Sequence, residues 1–249
     1  GDWSSDVCSS DLLWKKDEPH SFLDEVAEML QIDKVDILDY DLYLYNCDSC
    51  QMIGDSGVFT SPRIDNVSSV SAILESLVRI GNKWKEEKGK GTEAALADEK
   101  ISEADGSDMN LDIGVFFDNE EIGSLSKQGA DSGLLRMITE RILKDSGESR
   151  TIQELLPEIF LISLDVAHGT HPNYQEKSDP VNRVLLGNGV VLKSSASQRY
   201  VTDSEAAAVI QVLCEDEGIP FQRTVNKTGM PGGTTLGPIV SSYLPVKAV

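Results

Sequence analysis

The chain has 249 residues, enough for one large domain or two smaller ones. Hydrophobic content of 40% and charged content of 26% are those of a globular protein, not a disordered or membrane-embedded one. With 42 acidic residues against 22 basic ones the formal charge is −20, which argues against nucleic acid or an anionic membrane as partner.

Residues 1–12 have no apolar period, no capping pattern and no targeting logic. Their order matches the translation of a common sequencing-library adapter, and they are set aside as an artefact. Removing their three acids and no bases takes the charge from −20 to −17. Cys8 goes with them, leaving Cys47, Cys50 and Cys214, too few for a disulfide framework. A reducing cytoplasm is the expected compartment, since no signal peptide and no membrane-length apolar run is present. The Cys47-Asp48-Ser49-Cys50 pair lacks a second ligand pair and reads as two small residues in a turn.

Phe22, Val26, Ala27 and Leu30 at helical spacing, with Ser21 as N-cap, predict a helix over 21–31. Alternation over Ile37–Tyr45 predicts a half-exposed strand. A loop follows, then the Pro62 turn, then an amphipathic helix from Val67 to about Gly81. Residues 82–110 break composition and read as a mobile surface insertion with a frayed helix. Beyond it come a buried strand over Leu111–Phe117, a helix over Leu125–Leu143 and a buried strand over Ile159–Leu164. Short strands at Val190–Lys193 and Arg199–Val201, a helix over Ser204–Glu217 and a strand over Phe221–Val225 complete the pattern. A Gly/Thr/Pro loop from Met230 enters a last helix ending at Tyr243, and the apolar run Leu244–Val249 calls for a further strand and helix after it. The alternation means an α/β fold, a three-layer sandwich with a mainly parallel or mixed central sheet.

Three apolar runs end in acids: Asp65 after Pro62, Asp118, Glu120 and Glu121 after Phe117, and Asp165 after Leu164. Each alone suits a solvated turn or a helix cap. Together, at the carboxyl ends of α/β strands, they point to a cation site.

The segments SPRIDN (61–66), DNEEIGSLSKQGADS (118–132), SLDVAHGTHPNY (163–174) and GGTTLGPI (232–239) occur in that order. They resemble the aspartyl aminopeptidase and yeast vacuolar aminopeptidase family of di-zinc metallo-aminopeptidases, over roughly residues 20–245. The resemblance implies two zinc ions per complete chain, with Asp65 bridging both, Glu121 on one and Asp165 on the other. It implies that Glu120 is the general base, and that His168, Lys193, Gly233 and Thr234 contact substrate. The activity implied is release of N-terminal residues, acidic ones among them, from peptides. Residues 13–57 would be the end of an inserted dimerisation domain and 58–249 the catalytic domain. The implied assembly is a homo-oligomer built from dimers, up to a dodecamer.

Two histidine ligands of the family have no counterpart here, since His20 lies far from the first motif and no His follows Gly237. The chain is therefore expected to be a fragment incomplete at both ends and inactive alone. Two other readings use the same acids: a non-enzymatic acidic module holding Ca²⁺, and a metal-free carboxylate-pair hydrolase.

Overall fold

A computed structural model describes residues 21–43, 45–95, 111–227, 229 and 233–249, with side chains left out over 87–95. The stretch read as adapter, His20, residues 96–110 of the insertion and part of the 230–238 loop lie outside the described residues. The chain divides into two compact units, residues 1–62 and 63–249.

In the first unit, α1 (Phe22–Leu30) begins as expected at Ser21. Ser21 and Asp24 form a reciprocal capping box, with the Ser21 N–H donating to Asp24 Oδ2 at 2.7 Å. Lys34 Nζ lies 2.8 Å from Asp24 Oδ1, and that cation, together with Ser21, holds the carboxyl well below the usual range. The helix stops where Gln31 turns left-handed, φ 57°. The expected strand over 37–45 does not form among the described residues. Its side chains are largely exposed, Leu38 at 93%, so alternation there has no buried face to serve. Instead β1 (Gln51–Met52) and β2 (Phe59–Thr60) pair antiparallel across the Gly54–Gly57 turn.

The second unit opens with α2 (Ile64–Ala95), in which Asp65 and Asn66 depart from helical geometry. Regular helix thus starts where the periodicity placed it, but runs on through the first half of the insertion. Lys, Glu and Ala are good helix formers, and nothing but isolated glycines interrupts them.

Leu111–Phe117 is a correction. It joins no ladder among the described residues, and Leu111, Ile113 and Phe116 are exposed. The expected helix over 125–143 starts later, as a single-turn 3₁₀ segment (Ala130–Ser132) and then α3 (Leu134–Ser146). Gly133, at φ 69°, separates the two. A short α4 (Ile152–Leu155) follows, capped by Thr151 and Glu154. Of the strand expected over 159–164 only β3 (Phe160–Leu161) pairs.

The remaining elements are β4 (Val190–Ser194), α5 (Ser204–Asp216), β5 (Phe221–Val225), α6 (Leu236–Tyr243) and β6 (Lys247–Ala248). β4 pairs β5 in parallel, Val190 opposite Phe221 through Ser194 opposite Val225. β3 pairs β6 in parallel. The Arg199–Val201 strand is absent, the segment being bends instead. The fold is α/β with parallel pairing in this unit. Among the described residues it carries two separate two-stranded ladders and no continuous central sheet, because the 111–117 segment adds no ladder bonds.

A core of Ala130, Ile152, Val240 and Leu244 brings α4, α6 and the 3₁₀ turn together, with Phe117, Leu135 and Leu161 against it. Tyr243 donates its hydroxyl to the Ala130 carbonyl at 2.9 Å. This cluster fixes Phe117, and therefore the start of the acidic turn that follows it.

Candidate functional site

The acidic turn is built tightly. Asp118 N–H donates to Gln128 O at 3.2 Å, Gly123 N–H to Glu120 O at 2.9 Å and Ser124 N–H to Asn119 O at 2.8 Å. Asn119 is left-handed and its Nδ2 donates to Ser126 Oγ at 2.9 Å. Ser124 is fully buried beneath Gly129, where any Cβ would collide with the Ser124 carbonyl. Such a turn fixes where Glu120 and Glu121 emerge.

Asp65 emerges at the α2 kink, and the Asp65–Asn66 peptide is cis. Asn66 Nδ2 donates to the Leu164 carbonyl at 3.1 Å, tying the kink to the residue before Asp165. The other end of that amide, Asn66 Oδ1, is buried without a hydrogen-bond partner among the described residues. Asp165 follows β3, and its Oδ2 receives Lys193 Nζ at 2.8 Å. The same ammonium donates to Val166 O at 2.9 Å and lies 5.3 Å from the Tyr200 ring centroid.

Asp65 lies close enough to Asp165 and Glu121 to feel their charges. Partial burial first, then the charges of Asp165 and Glu121, push the Asp65 carboxyl up, with Lys193 opposing. Burial likewise raises Glu120, followed by repulsion from Glu121, Asp165 and Asp65. Five of the eight residues singled out from the sequence thus interact: Asp65, Glu120, Glu121, Asp165 and Lys193.

The other three stand outside this network. His168 is exposed and makes no hydrogen bond or ion pair to it. Gly233 and Thr234 are exposed in the loop before α6, with Thr234 Oγ1 donating to Arg199 O at 3.1 Å. A cavity of about 80 Å³ has Ile162, Leu192 and Thr235 in its wall beside Asp165 and Lys193. It is well below the roughly 300 Å³ of small-molecule pockets and is no substrate site by itself. Asn66 and Tyr200 were not singled out from the sequence. Asn66 adjoins a marked acid and was within reach, whereas nothing in the sequence marks Tyr200.

The donors suit a cation. Carboxylates from three segments have Lys193 as the one cation that acts on them, and the amide oxygen of Asn66, next to Asp65, is buried without a partner among the described residues. Among the described residues no group of three or more His, Cys, Asp or Glu side chains is arranged around one point as a ready metal cage.

The unit is α/β, and its acids come from three places: the start of α2, the turn after Phe117 and the segment after β3. The chain belongs to the M18 family, the aminopeptidase I zinc metalloproteases, whose family model matches residues 9–249. That match begins inside the 1–12 stretch read as adapter. A probable M18 family aminopeptidase 2 of Clostridium novyi is 36% identical over 229 residues, covering 91% of this chain and 47% of that protein. Aspartyl aminopeptidase 4 of Saccharomyces cerevisiae is 34% identical over 235 residues, covering 90% and 44%. The crystal structure of yeast aminopeptidase 1 (Ape1) matches with a TM-score of 0.67 at 21% identity, over 91% of this chain and 46% of that one. The S. cerevisiae mApe1 dodecamer matches at 0.66 and 21%, over the same shares. At such identity these two structures speak for the fold alone. The chain spans about half the length of the curated relatives it matches.

Proposed function

We propose a zinc-dependent aminopeptidase that releases N-terminal residues from peptides. The observation that carries this is the mutual electrostatic influence of Asp65, Glu120, Glu121 and Asp165, the last paired with Lys193, in a chain of a zinc metalloprotease family. Asp65, Glu121 and Asp165 would hold zinc, two ions in our reading, with Asp65 shared between them. When bound, zinc polarises a peptide carbonyl and makes water a stronger acid near neutral pH.

The residues of the chain do the rest. Glu120 is half-buried and raised above an ordinary glutamate by that burial and by its acidic neighbours. A base so tuned takes the proton of the attacking water and delivers it to the leaving amine. Its neighbour in the turn, Glu121, is exposed and free to serve as a ligand. Lys193 would face the side chain of an acidic N-terminal residue, and His168, Gly233 and Thr234 would line the substrate side. The zinc reading is preferred to calcium because the family is described as zinc metalloproteases. Among the described residues no helix is long and apolar enough to cross a membrane; the placement we propose is cytoplasmic. A homo-oligomer is proposed as well; the mApe1 structure whose fold the chain shares is a dodecamer.

The test compares hydrolysis of a free and an N-acetylated peptide by zinc-loaded and chelator-treated protein at the full length of its relatives, of which this chain spans about half. Cleavage of the free peptide alone, lost on chelation and restored by zinc, is expected. Cleavage that survives chelation, or equal cleavage of the acetylated peptide, overturns the reading. Light scattering of the same sample reads the assembly.

A further inference from the structure

Three cations converge on the 3₁₀ turn Gln175–Lys177. Arg183 Nη1 donates to Gln175 Oε1 at 3.1 Å, Lys227 Nζ donates to the Glu176 carbonyl, and Lys177 Nζ lies 4.7 Å from the Tyr174 ring centroid. These partners are all uncharged, and none of the three cations forms an ion pair among the described residues. Two acids share the stretch. Glu176 is exposed, and Asp179, which feels the Lys227 charge, has its Oδ1 taken by the N–H groups of Val181 and Asn182. Three cations against two acids leave the turn one charge positive, in a chain at −20. The half-exposed Tyr174 ring adds an apolar face beside them. The turn also adjoins the candidate site. Lys227 comes two residues after β5, whose Thr224 stands opposite Lys193 of β4. Between them Asn226 accepts the Tyr200 hydroxyl at 3.1 Å, and the Tyr200 ring lies 5.3 Å from Lys193 Nζ. Contacts thus run without a break from Asp165 through Lys193, Tyr200 and Asn226 to Lys227 and the turn.

We propose that Lys177, Arg183 and Lys227 form a basic lip that takes a carboxylate of the peptide beyond the residue released. That carboxylate is an acidic side chain downstream of the scissile bond or the C-terminus of a short peptide. The proposal rests on the aminopeptidase reading above and adds to it a contact on the departing side. Ammonium and guanidinium groups that spend hydrogens on neutral partners keep their full charge for a ligand. Lys177 and Arg183 are exposed, so the pairing is that of a solvated rim: modest in strength and weakened by salt. The lip therefore acts on substrate capture, and its effect falls on KM and not on kcat.

The test uses the protein at the full length of its relatives and peptides that share one N-terminal glutamate. One pair differs by glutamate or glutamine downstream, the other by a free or amidated C-terminus. Loss of the recognised carboxylate should raise KM on the order of five-fold at low salt, the size of one exposed ion pair, with kcat unchanged. The difference should fade in about 1 M salt, where charges are screened within a few ångströms. Whichever pair shows it names the source of the carboxylate. The double variant Lys177→Gln/Arg183→Gln should erase most of the difference, and Lys177→Arg should keep it. The salt series needs no variant and stands even if the double variant folds poorly. Equal KM within both pairs, or a difference that survives high salt or the double variant, overturns the lip and leaves the aminopeptidase reading intact. If no free peptide is cleaved at all, both fall.

Discussion

Lys193 and Asp165 meet across 28 positions of sequence, Nζ to Oδ2 at 2.8 Å, and join the end of β4 to the segment beyond β3. The two strands belong to different ladders. The ion pair, with the Val166 contact, is therefore a polar tie between sheet pieces that share no ladder bond.

Asp165→Ala in the metal-free protein should destabilise the fold by about 1–3 kcal/mol, the cost of leaving a mostly buried charged donor without its side-chain partner. Urea denaturation reads the change. An unchanged midpoint would mean that Lys193 finds another acceptor nearby, and that the tie carries no load.

Glu120 and Glu121 are adjacent in sequence and unlike in surroundings, the first half-buried and the second exposed. In the protein at the full length of its relatives, Glu120→Gln should lower kcat by about 10²–10⁴-fold, the usual contribution of a positioned base, while zinc content holds. Glu121→Ala should lose zinc along with the rate. If Glu120→Gln loses the metal and keeps the rate, the two roles are exchanged.

The turn that presents them depends on Gly129, whose α-hydrogen faces the Ser124 carbonyl. Gly129→Ala should cost about 1–3 kcal/mol through forced backbone displacement and should weaken zinc binding as Glu121 shifts. Thermal melting together with chelator competition checks both. Loss of stability with zinc affinity intact would show that the turn yields on its far side.

Much of this was legible in the sequence, and the exceptions have physical reasons. Ser21 as cap, the Phe221–Val225 strand and the 204–217 helix follow from local patterns that tertiary contacts leave alone. The acids at 65, 120, 121 and 165 were visible because each ends an apolar run. Leu111–Phe117 carries the composition of a buried strand, but composition reports what a segment can bury and not which neighbour supplies its ladder bonds. The late start of α3 turns on the left-handed Gly133, which a periodic apolar pattern does not register. The engagement of Lys193 was hidden for a different reason. Val166 O lies 27 positions from it in sequence, and nothing in the bends around Tyr200 marks that ring as its neighbour.

Asp203 offers a test of the fold by acid. Its Oδ1 accepts the Ala206 N–H at 2.7 Å as the cap of α5, and its Oδ2 accepts the Ala248 N–H of β6 at 3.1 Å. The Ala206 N–H first, and that of Ala248 after burial's smaller opposition, hold this carboxyl below its ordinary 3.8. Glu148, beside Arg150, is lowered in the same sense, from 4.5 to about 2. A carboxyl depressed by folding stabilises the fold fully above its unfolded value and loses that contribution as pH falls through the folded one. The window for Glu148 is thus about pH 4.5 to 2, and Asp203 begins to lose its share near 3.8. Asp65 and Glu120, raised in the fold, act in the opposite sense, their repulsion easing as pH falls. Comparing wild type with Asp203→Asn cancels those shared groups. Asparagine caps a helix nearly as well as aspartate, but its Nδ2 cannot accept from Ala248, which is 1% exposed. The variant should be about 1–3 kcal/mol less stable at pH 7, and the gap should close as pH falls from 4 toward 2. A gap that stays constant across that range in urea titrations would show that the ionised carboxylate is not what joins α5 to β6.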